Sequence, residues 1–390
     1  MKIAFAVYDD ILGGGPVAHR VQMLAQGLAS LNHEMLIFSP YRYQPGPLSV
    51  NLEGITLYWG ACIDRQSADR LFHILRKRYL IFKTARRVLR QGVDWLILYD
   101  MGLDGLPLFL LAKQAGCRVA VDNCDINYIY TKTSLRDIYL NISQQIGHRC
   151  IAPHLDLNFV ISRYIDKHLE AIAPKVPQVM VPAPVDIDKF QIREKDAQTF
   201  RDRFALQDSF IIGYFGSPHK VKGLEILLQA AGLLAKQGKK FKLLITGRTD
   251  RNPHLLRIID EFGLRDWIVL TGFIPDEDLI AAMSAADILV EPKIEHGANW
   301  AAFPQKLAEY LAMGRPIVAS AIGDITQYLQ DQENALLCRA GDSHSLADAL
   351  ERMMQNRALR EKVSLNARQT AEKYFDCRII ARQVESALLR

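Results

Sequence analysis

The sequence predicts an α/β protein of two domains, each built around a mainly parallel sheet. Two observations support this prediction. Short apolar runs typical of buried strands alternate with segments of helical apolar period over most of the 390 residues. A chain of this length also favours two domains, and 49% hydrophobic with 23% charged residues is ordinary for a folded globular protein.

Composition narrows the classes of function. The net charge of +5 is modest and indicates only that anionic partners are tolerated. The six cysteines show no C-x-x-C spacing, so neither a zinc site nor a disulfide framework is indicated, and a reducing cytoplasm fits best. The first ten residues are typical of a strand and not of a signal peptide, and no apolar run is long enough to span a bilayer.

In the first half of the chain, strands and helices are predicted to alternate. The predicted strands are Ile3–Tyr8, Glu34–Ser39, Trp95–Tyr99, Cys117–Asp122, Leu157–Ile161 and Gln178–Val181. The predicted helices are Val17–Asn32, Leu71–Arg90, Leu106–Ala115 and Arg163–Ile172. Such alternation indicates a parallel sheet, because parallel strands need long crossover connections.

A glycine-rich loop follows the first strand. Its permissive backbone predicts a loop, containing Gly14 and Gly15, that lets the chain approach a ligand held between two domains. His19, in the first turn of the next helix, is either a solvated side chain or an acceptor contact. As a dinucleotide fingerprint the loop is weak, because the second strand ends without an acid for a ribose. An NAD-dependent Rossmann enzyme remains an alternative that would explain the loop.

Residues 70–90 carry eight basic residues and no acid, interleaved with apolar residues at helical spacing. This pattern predicts either a helix that docks on an anionic membrane surface or an ordinary basic surface helix. The segment lacks a recognisable nucleic-acid-binding module, so no nucleic-acid partner is expected.

Acids also follow a strand end in the first half. Asp122 and Asp125 lie at the carboxyl end of the fourth predicted strand. They are candidates either to orient an acceptor hydroxyl or to cap the next helix.

A proline-bracketed segment, Val181–Phe190, suits a domain boundary. Within it, Asp186-x-Asp188 imitates a D-x-D metal motif. Because the motif falls in a linker, we expect no metal site there.

The most informative stretch runs from Glu291 to Ser320. An apolar run just before it predicts a strand in the middle of a parallel sheet. Pro304 suits the first position of the following helix, and Gly314 suits its end. Such a helix start at the carboxyl end of a strand is a ready anion site.

Two charged residues share one face of this helix. Lys306 and Glu309 are three residues apart, so they offer a cation for a phosphate and a carboxylate for the two hydroxyls of a ribose. The alternative is a plain surface ion pair. A similar arrangement occurs earlier, where Lys220 and Lys222 precede a helix after a strand ending at Gly216, which again favours a phosphate.

These motifs resemble those of family 4 (group 1) glycosyltransferases of the GT-B fold. The run EYLAMGRPIVA from Glu309 is similar to the family's Glu-Ala-Met-Ala-x-Gly-x-Pro-Val-Val-Ala, and the linker resembles its Ile-Pro-Asn-Gly-Val-Asp-x-x-x-Phe crossover. The resemblance implies two Rossmann-like domains facing a central cleft. It implies a first domain of residues 1–185, joined by a terminal helix at about 376–390, and a second domain of residues 186–375.

The resemblance also implies site roles. Glu309 would bind the nucleotide ribose and Lys222, at the Lys of a Gly-Arg-x-x-x-x-Lys-Gly motif, the diphosphate. With the residues argued from local geometry, the predicted donor-binding set is Gly216, Ser217, Lys222, Arg248, Pro304, Lys306 and Glu309, and the predicted acceptor-side residues are His19, Asp122 and Asp125.

Two positions depart from the family pattern. Ser217 stands where the family has Arg, which leaves one charge fewer unless His219, Lys220 or Arg248 supplies it. Ala301 stands where the family has a second Glu, and the nearest acid is Glu295 in a longer loop. Either Glu295 reaches the sugar by another path and joins Lys222 and Glu309 in catalysis, or the donor sugar is recognised differently.

The implied reaction is a retaining, metal-independent transfer from a nucleotide-sugar co-substrate, with no other cofactor, to a hydroxyl of a glycan or lipid-linked acceptor. The expected location is the cytoplasm, with the enzyme peripheral at the inner face of the membrane if residues 70–90 dock there. A GT-B protein that binds nucleotide sugars but has lost activity is the main alternative.

Overall fold

The computed structural model divides the chain into two compact units, Met1–Pro184 with Cys377–Arg390 and Val185–Asp376. It describes residues 1–12, 15–63, 71–99, 102–126, 135–216, 218–247 and 252–390, with the backbone alone at 71–74, 135–137 and 276. The predicted α/β class with two mainly parallel sheets is confirmed. In the described residues, no helix combines the length and the apolar character needed to cross a membrane.

Within the described residues, each unit contains one sheet. The strands of the first unit are β1 Lys2–Ala6, β2 Glu34–Arg42, β3 Ser49–Leu52, β4 Ile55–Cys62, β5 Trp95–Tyr99, β6 Arg118–Asn123, β7 Leu157–Val160 and β8 Gln178–Met180. Those of the second are β9 Ile211–Phe215, β10 Lys242–Thr246, β11 Ile268–Gly272, β12 Ile288–Glu291, β13 Ile317–Ala321 and β14 Leu336–Arg339. Short strands rich in Val, Ile and Leu suit sheets covered on both faces.

Helices connect these strands. They are α1 Pro16–Ser30, α2 Leu71–Leu89, α3 Leu106–Gln114, α4 Leu135–Cys150, α5 Arg163–Ile172, α6 Glu194–Arg203, α7 Leu224–Lys236, α8 Pro253–Glu261, α9 Asp276–Ala285, α10 Gly297–Ala301, α11 Gln305–Met313, α12 Ile325–Tyr328, α13 Ser343–Gln355, α14 Arg357–Tyr374 and α15 Cys377–Leu388. Because α15 packs on α1, the C-terminal helix belongs to the first unit.

The strand order places a reversal point in each sheet. The order is β3-β4-β2-β1-β5-β6-β7-β8 in the first unit and β11-β10-β9-β12-β13-β14 in the second, and the pairings are parallel apart from β3 with β4. The connections therefore diverge between β1 and β5, and between β9 and β12. In open α/β sheets, such switch points leave a crevice at the carboxyl ends of the strands, where ligands bind.

Several elements were missing from the sequence prediction. The β3–β4 hairpin turns through Glu53 and Gly54, which both have positive φ angles, of 50° and 84°. This is the backbone of a two-residue hairpin, but a glutamate at its first position is not the usual turn signal. Helix α4 was also missed, because its apolar residues do not mark a buried face.

Candidate donor site and its supporting residues

The turn that carries Lys222 is held against the loop that follows β12. After β9 the chain forms a 3₁₀ turn at Lys220–Lys222 and then enters α7 through Gly223, whose φ is 76°. A Cβ atom on Gly223 would lie 1.4 Å from the carbonyl oxygen of Pro292. Only glycine meets both requirements, so the two loops touch through backbone atoms.

Asn299 ties the same two loops together. Its buried side-chain amide donates to the carbonyl oxygen of Val221 at 2.9 Å and to that of Ile294 at 2.8 Å. Val221 directly precedes Lys222, and Ile294 directly precedes Glu295. Asn299 therefore positions both predicted catalytic segments, a role that sequence spacing did not indicate.

A buried ion pair lies at the end of β12. Lys293 Nζ is 2.8 Å from Glu291 Oε1, and both side chains are buried. The Glu291 carboxylate also affects Tyr310. Burial raises the pKa of the Tyr310 hydroxyl well above its usual value, and the negative charge of Glu291 raises that pKa further. The pair keeps two charges together where the strand enters the site loop, and sequence reasoning missed it.

Glu295 lies exposed in the loop after β12. Its Oε2 accepts a hydrogen bond from Trp300 Nε1 at 3.1 Å, and the Trp300 side chain is 45% exposed. Ala301, at the position where the family has a glutamate, is fully buried. A carboxylate at that position would therefore have to leave the core to reach a ligand, and Glu295 is the nearby acid that is already exposed.

Helix α11 begins one residue later than predicted. Pro304 is its N-cap, with φ −71° and ψ 118°, and not its first helical residue. The proline ring fixes a φ close to helical values, but the extended ψ keeps the residue outside the helix. The helix still ends at Gly314, which has a φ of 63°, as predicted.

Lys306 and Glu309 form an ion pair, with Lys306 Nζ 2.7 Å from Glu309 Oε2. The pair is not a plain surface bridge, because Glu309 is only 4% exposed. Tyr310 joins the same helix to β9, since the backbone N–H of Phe215 donates to its hydroxyl oxygen at 3.0 Å. The end of β9 and the helix that carries the pair are thus directly connected.

Together these connections bring six predicted residues to one edge of the second sheet. All lie on segments that follow β9 or β12, which are neighbours in the sheet: Gly216, Lys222, Glu295, Pro304, Lys306 and Glu309. The Lys222 side chain is exposed. The other two predicted donor residues, Ser217 and Arg248, lie outside the described residues.

In the first unit, the loop after β1 is organised by Asp10. This buried carboxylate accepts hydrogen bonds from the backbone of Leu12 at 3.1 Å and of Tyr43 at 2.8 Å, and from Trp59 Nε1 at 3.1 Å. Asp10 fixes the approach to the glycine loop. The sequence signal for this role was the acid pair Asp9 and Asp10, separated from the end of β1 by two residues. Gly15 is exposed with a φ of 120°, and Gly14 lies outside the described residues.

The structure corrects the role of Asp122. The residue is fully buried, and its two carboxylate oxygens accept from Arg20 Nε and Nη2, each at 2.8 Å. Arg20 also donates to the carbonyl oxygens of Val181 and Pro182, each at 2.8 Å. Asp122 is therefore part of a buried brace that holds α1 against the end of β8, and not an accessible acceptor contact.

The other two acceptor candidates are more accessible. His19 is half-buried in α1, and Asp125 is half-buried after β6, where its Oδ1 accepts from the backbone of Ile126 at 2.9 Å.

The D-x-D sequence in the linker is a turn. Asp186 Oδ1 accepts from the backbone N–H of Asp188 at 3.0 Å and of Lys189 at 3.1 Å. Within the described part of the chain, no group of three or more His, Cys, Asp or Glu side chains is arranged to hold a metal ion.

Comparison with known proteins adds independent information. Residues 209–356 match the family model described as glycosyl transferases group 1. The alpha-D-kanosaminyltransferase of Streptomyces kanamyceticus is 28% identical over 182 residues, which is 46% of this chain and 46% of that protein. The chain therefore matches about half the length of this curated relative.

Two solved structures resemble the whole chain. Sucrose-phosphate synthase from Thermosynechococcus elongatus has a TM-score of 0.79 at 18% identity, covering 99% of this chain and 97% of its own. The Anabaena protein HepE, solved in complex with UDP and glucose, has a TM-score of 0.75 at 16% identity, covering 100% and 99%. The chain therefore has the GT-B fold of these glycosyltransferase structures, and its match to the group 1 glycosyl transferases lies within the second unit.

Proposed function

We propose that the protein is a glycosyltransferase that moves a sugar from a nucleotide-sugar donor to an acceptor hydroxyl. The observation that carries this proposal is the convergence of the Lys222 turn, the Glu295 loop and the start of α11 at the switch point of the second sheet. This is where open α/β sheets bind nucleotides. The group 1 match, residues 209–356, spans all three segments.

In this proposal the donor lies along the carboxyl edge of the second sheet. Lys222, Lys306 and the positive N-terminal end of the α11 dipole neutralise the diphosphate, and Gly216 and Pro304 let the backbone approach it. Glu309, already oriented by Lys306 at 2.7 Å, accepts from the ribose hydroxyls. Ser217 and Arg248 remain predicted contacts to the same donor.

The proposed chemistry is leaving-group stabilisation. The bond from the anomeric carbon to the β-phosphate oxygen breaks, the acceptor oxygen bonds to the same face of that carbon, and the departing phosphate takes the acceptor proton. Lys222 stabilises the charge that develops on the phosphate, and Glu295 contacts the sugar. This reaction retains the anomeric configuration and uses no metal ion.

The first unit would supply the acceptor site. Gly15 and His19 follow β1 and Asp125 follows β6. In this proposal they contact a glycan or lipid-linked hydroxyl, and Gly14 remains a predicted contact to the same acceptor. A lipid-linked acceptor would place the protein in the cytoplasm at the inner face of the membrane.

The test is a thermal-shift panel of UDP-, GDP-, ADP- and TDP-sugars, followed by assays of donor hydrolysis and transfer. We expect one nucleotide sugar to raise the unfolding temperature, and NMR of its product to show a retained anomeric configuration that EDTA does not prevent. Stabilisation by NAD alone would contradict the proposal.

One observation favours a second candidate, a nucleotide-sugar-binding protein without activity. Ala301 is buried where the resembling family has a glutamate, so that carboxylate is missing from the site. Binding of a nucleotide sugar without hydrolysis or transfer would support this candidate.

A further inference from the structure

Helix α4 turns apolar side chains toward the surface and polar side chains toward the interior. Of its described side chains, those at 138–150, the most exposed apolar ones are Ile138, Leu140, Ile142 and Ile146, each between 37% and 48% exposed. The buried ones include Asn141, Ser143, Gln144 and His148. A surface helix ordinarily turns its apolar stripe inward and its polar face to water.

The buried polar face fixes the orientation of the helix. Ser143 Oγ accepts from the backbone N–H of Leu103 at 2.8 Å, and Gln144 Nε2 donates to the carbonyl oxygen of Asp125 at 2.9 Å. Burial lowers the pKa of His148 to about 4, so its ring is neutral in the core. Rolling the helix to bury its isoleucines would break these contacts, so the apolar face stays exposed.

Helix α2 presents a second exposed apolar row. Leu75 and Tyr79 are 66% and 63% exposed, and Phe82, one turn further on, is 37% exposed. On the opposite side of α2, the apolar side chains of Ile81, Ala85 and Val88 are buried and face the core. The exposed row is therefore an addition to the ordinary core-facing stripe.

The two rows belong to one surface. The connections made by α2, α3 and α4 run in the same direction across the sheet, so right-handed crossovers place them on one face. Arg78 of α2 pairs with Asp104 at 2.5 Å and lies 5.5 Å from the ring centroid of Tyr139 in α4, whose hydroxyl donates to Asp104 at 3.2 Å. We call this the α2–α4 surface. It consists of the two exposed apolar rows together with Leu110 of α3, which is 57% exposed.

The charged side chains that α2 contributes to this surface are all basic. Residues 70–93 contain no acid, and the exposed basic side chains of α2 are Arg76, Lys83, Arg86 and Arg87. Arg149 adds an exposed cation near the end of α4. Exposed apolar side chains beside such cations match a bilayer surface with anionic headgroups, since the apolar groups enter the acyl boundary and the cations meet lipid phosphates.

We propose that the α2–α4 surface docks the protein on an anionic phospholipid bilayer, with α4 contributing as much of the inserted apolar surface as the basic helix α2. The inference deepens the membrane location that the proposed function gives for a lipid-linked acceptor, but it depends on neither the donor nor the chemistry. It also assigns a membrane contact to α4, whose sequence did not indicate one.

The test is co-sedimentation of the full chain with vesicles of phosphatidylcholine, and with vesicles in which part of that lipid is replaced by phosphatidylglycerol. The double variant Ile142→Asp/Ile146→Asp replaces two of the exposed apolar side chains of α4, and Arg86→Glu/Arg87→Glu reverses the charge of two exposed cations of α2. Leu365→Asp, at a 62% exposed leucine of α14 in the second unit, is the matched control.

We expect the native chain to bind the anionic vesicles at least about tenfold more strongly, and salt to weaken binding. Each double variant should lose about tenfold or more, while the control keeps native binding. Circular dichroism and the nucleotide-sugar thermal shift should be unchanged in all variants, so a failure of docking is distinguishable from a failure of the proposed function.

Two results would overturn the inference. The native chain could ignore both vesicles and elute as a dimer that Ile142→Asp/Ile146→Asp converts to a monomer, which would make the surface an interface between copies. Alternatively, native and variant chains could bind both vesicle types equally.

Discussion

Gly223 lies so close to Pro292 that a Cβ atom built on the glycine would stand 1.4 Å from the proline carbonyl oxygen. Through this contact the turn after β9 and the loop after β12 support each other at the switch point of the second sheet. Asn299 reinforces the contact by donating to a carbonyl oxygen of each loop. The proposed donor site therefore depends on backbone packing as well as on its charged side chains.

Gly223→Ala should destabilise the second unit and weaken donor binding. The variant must relieve both the positive φ and the clash with Pro292. Gly238→Ala is the matched control, because Gly238 has a φ of 75° and nothing within 4 Å of its missing Cβ. We expect the control to lose about 1 kcal/mol of unfolding free energy, and Gly223→Ala about 1–3 kcal/mol more. Denaturant unfolding measures both variants. If Gly223→Ala and Gly238→Ala lose the same unfolding free energy, the two loops can separate without cost.

Lys222→Ala should reduce the rate of sugar transfer by about 100-fold or more and leave the fold intact. The lysine is proposed to stabilise charge on the departing diphosphate, and removal of one such group typically has an effect of this size. Steady-state transfer rates and unfolding temperatures would be compared with those of Lys240→Ala, which removes an exposed lysine of the same unit. Near-native transfer by Lys222→Ala would place the phosphate site elsewhere.

Glu309→Gln should abolish the preference of the protein for a ribonucleoside diphosphate over its 2′-deoxy form. A hydrogen bond to a charged carboxylate in a buried site contributes about 1.5–3 kcal/mol, so the native chain should bind the 2′-deoxy form of its nucleoside diphosphate about tenfold or more weakly. In the variant this difference should shrink to within about threefold. Calorimetric titration measures both. If the 2′-deoxy form binds more weakly than the ribonucleotide by the same factor in the native and variant proteins, Glu309 serves only to hold Lys306.

His148→Gln should flatten the dependence of stability on pH. Burial, with a smaller effect of His168, holds the pKa of His148 at about 4, below its ordinary 6.5. The unfolded chain therefore takes up this proton first, and the native chain loses about 1.4 kcal/mol of stability per pH unit as pH falls from 6.5 toward 4. Denaturant unfolding at pH 7 and pH 5 would show a smaller difference for the variant. His154→Gln, at an exposed histidine, should keep the native slope.

Much of the fold was readable from local patterns. The strands β1, β5, β6 and β7 are short apolar runs, and the helices α1 and α5 carry an inward stripe, so periodicity alone located them. The prediction failed at α4, where the inward residues Ser143 and Gln144 are polar and the outward ones apolar. Ser143 and Gln144 can be buried because they form hydrogen bonds with the backbone of Leu103 and Asp125. The periodicity of the sequence does not indicate partners of this kind.

The site divides in a similar way. Spacing on α11 was enough to pair Lys306 with Glu309, because residues three apart on a helix are neighbours whatever surrounds them. Spacing could not reveal that Asn299 binds the carbonyl oxygen of Val221, 78 residues earlier in the chain. Asp122 shows the opposite error, since its partner Arg20 lies 102 residues away and buries the carboxylate that seemed available to an acceptor.

The amino-acid sequence alone determined the α/β class, the alternation of strands with crossover helices, and the short-range pairing of charges on α11, because these depend on periods of two to four residues. Only the tertiary structure decided which residues are accessible and which brace the loops: the burial of Asp122, the contact of Gly223 with Pro292, and the outward apolar face of α4. Each of these depends on backbone and side-chain atoms that segments distant in sequence bring together, and the energy of a buried polar or apolar group is set by those neighbours.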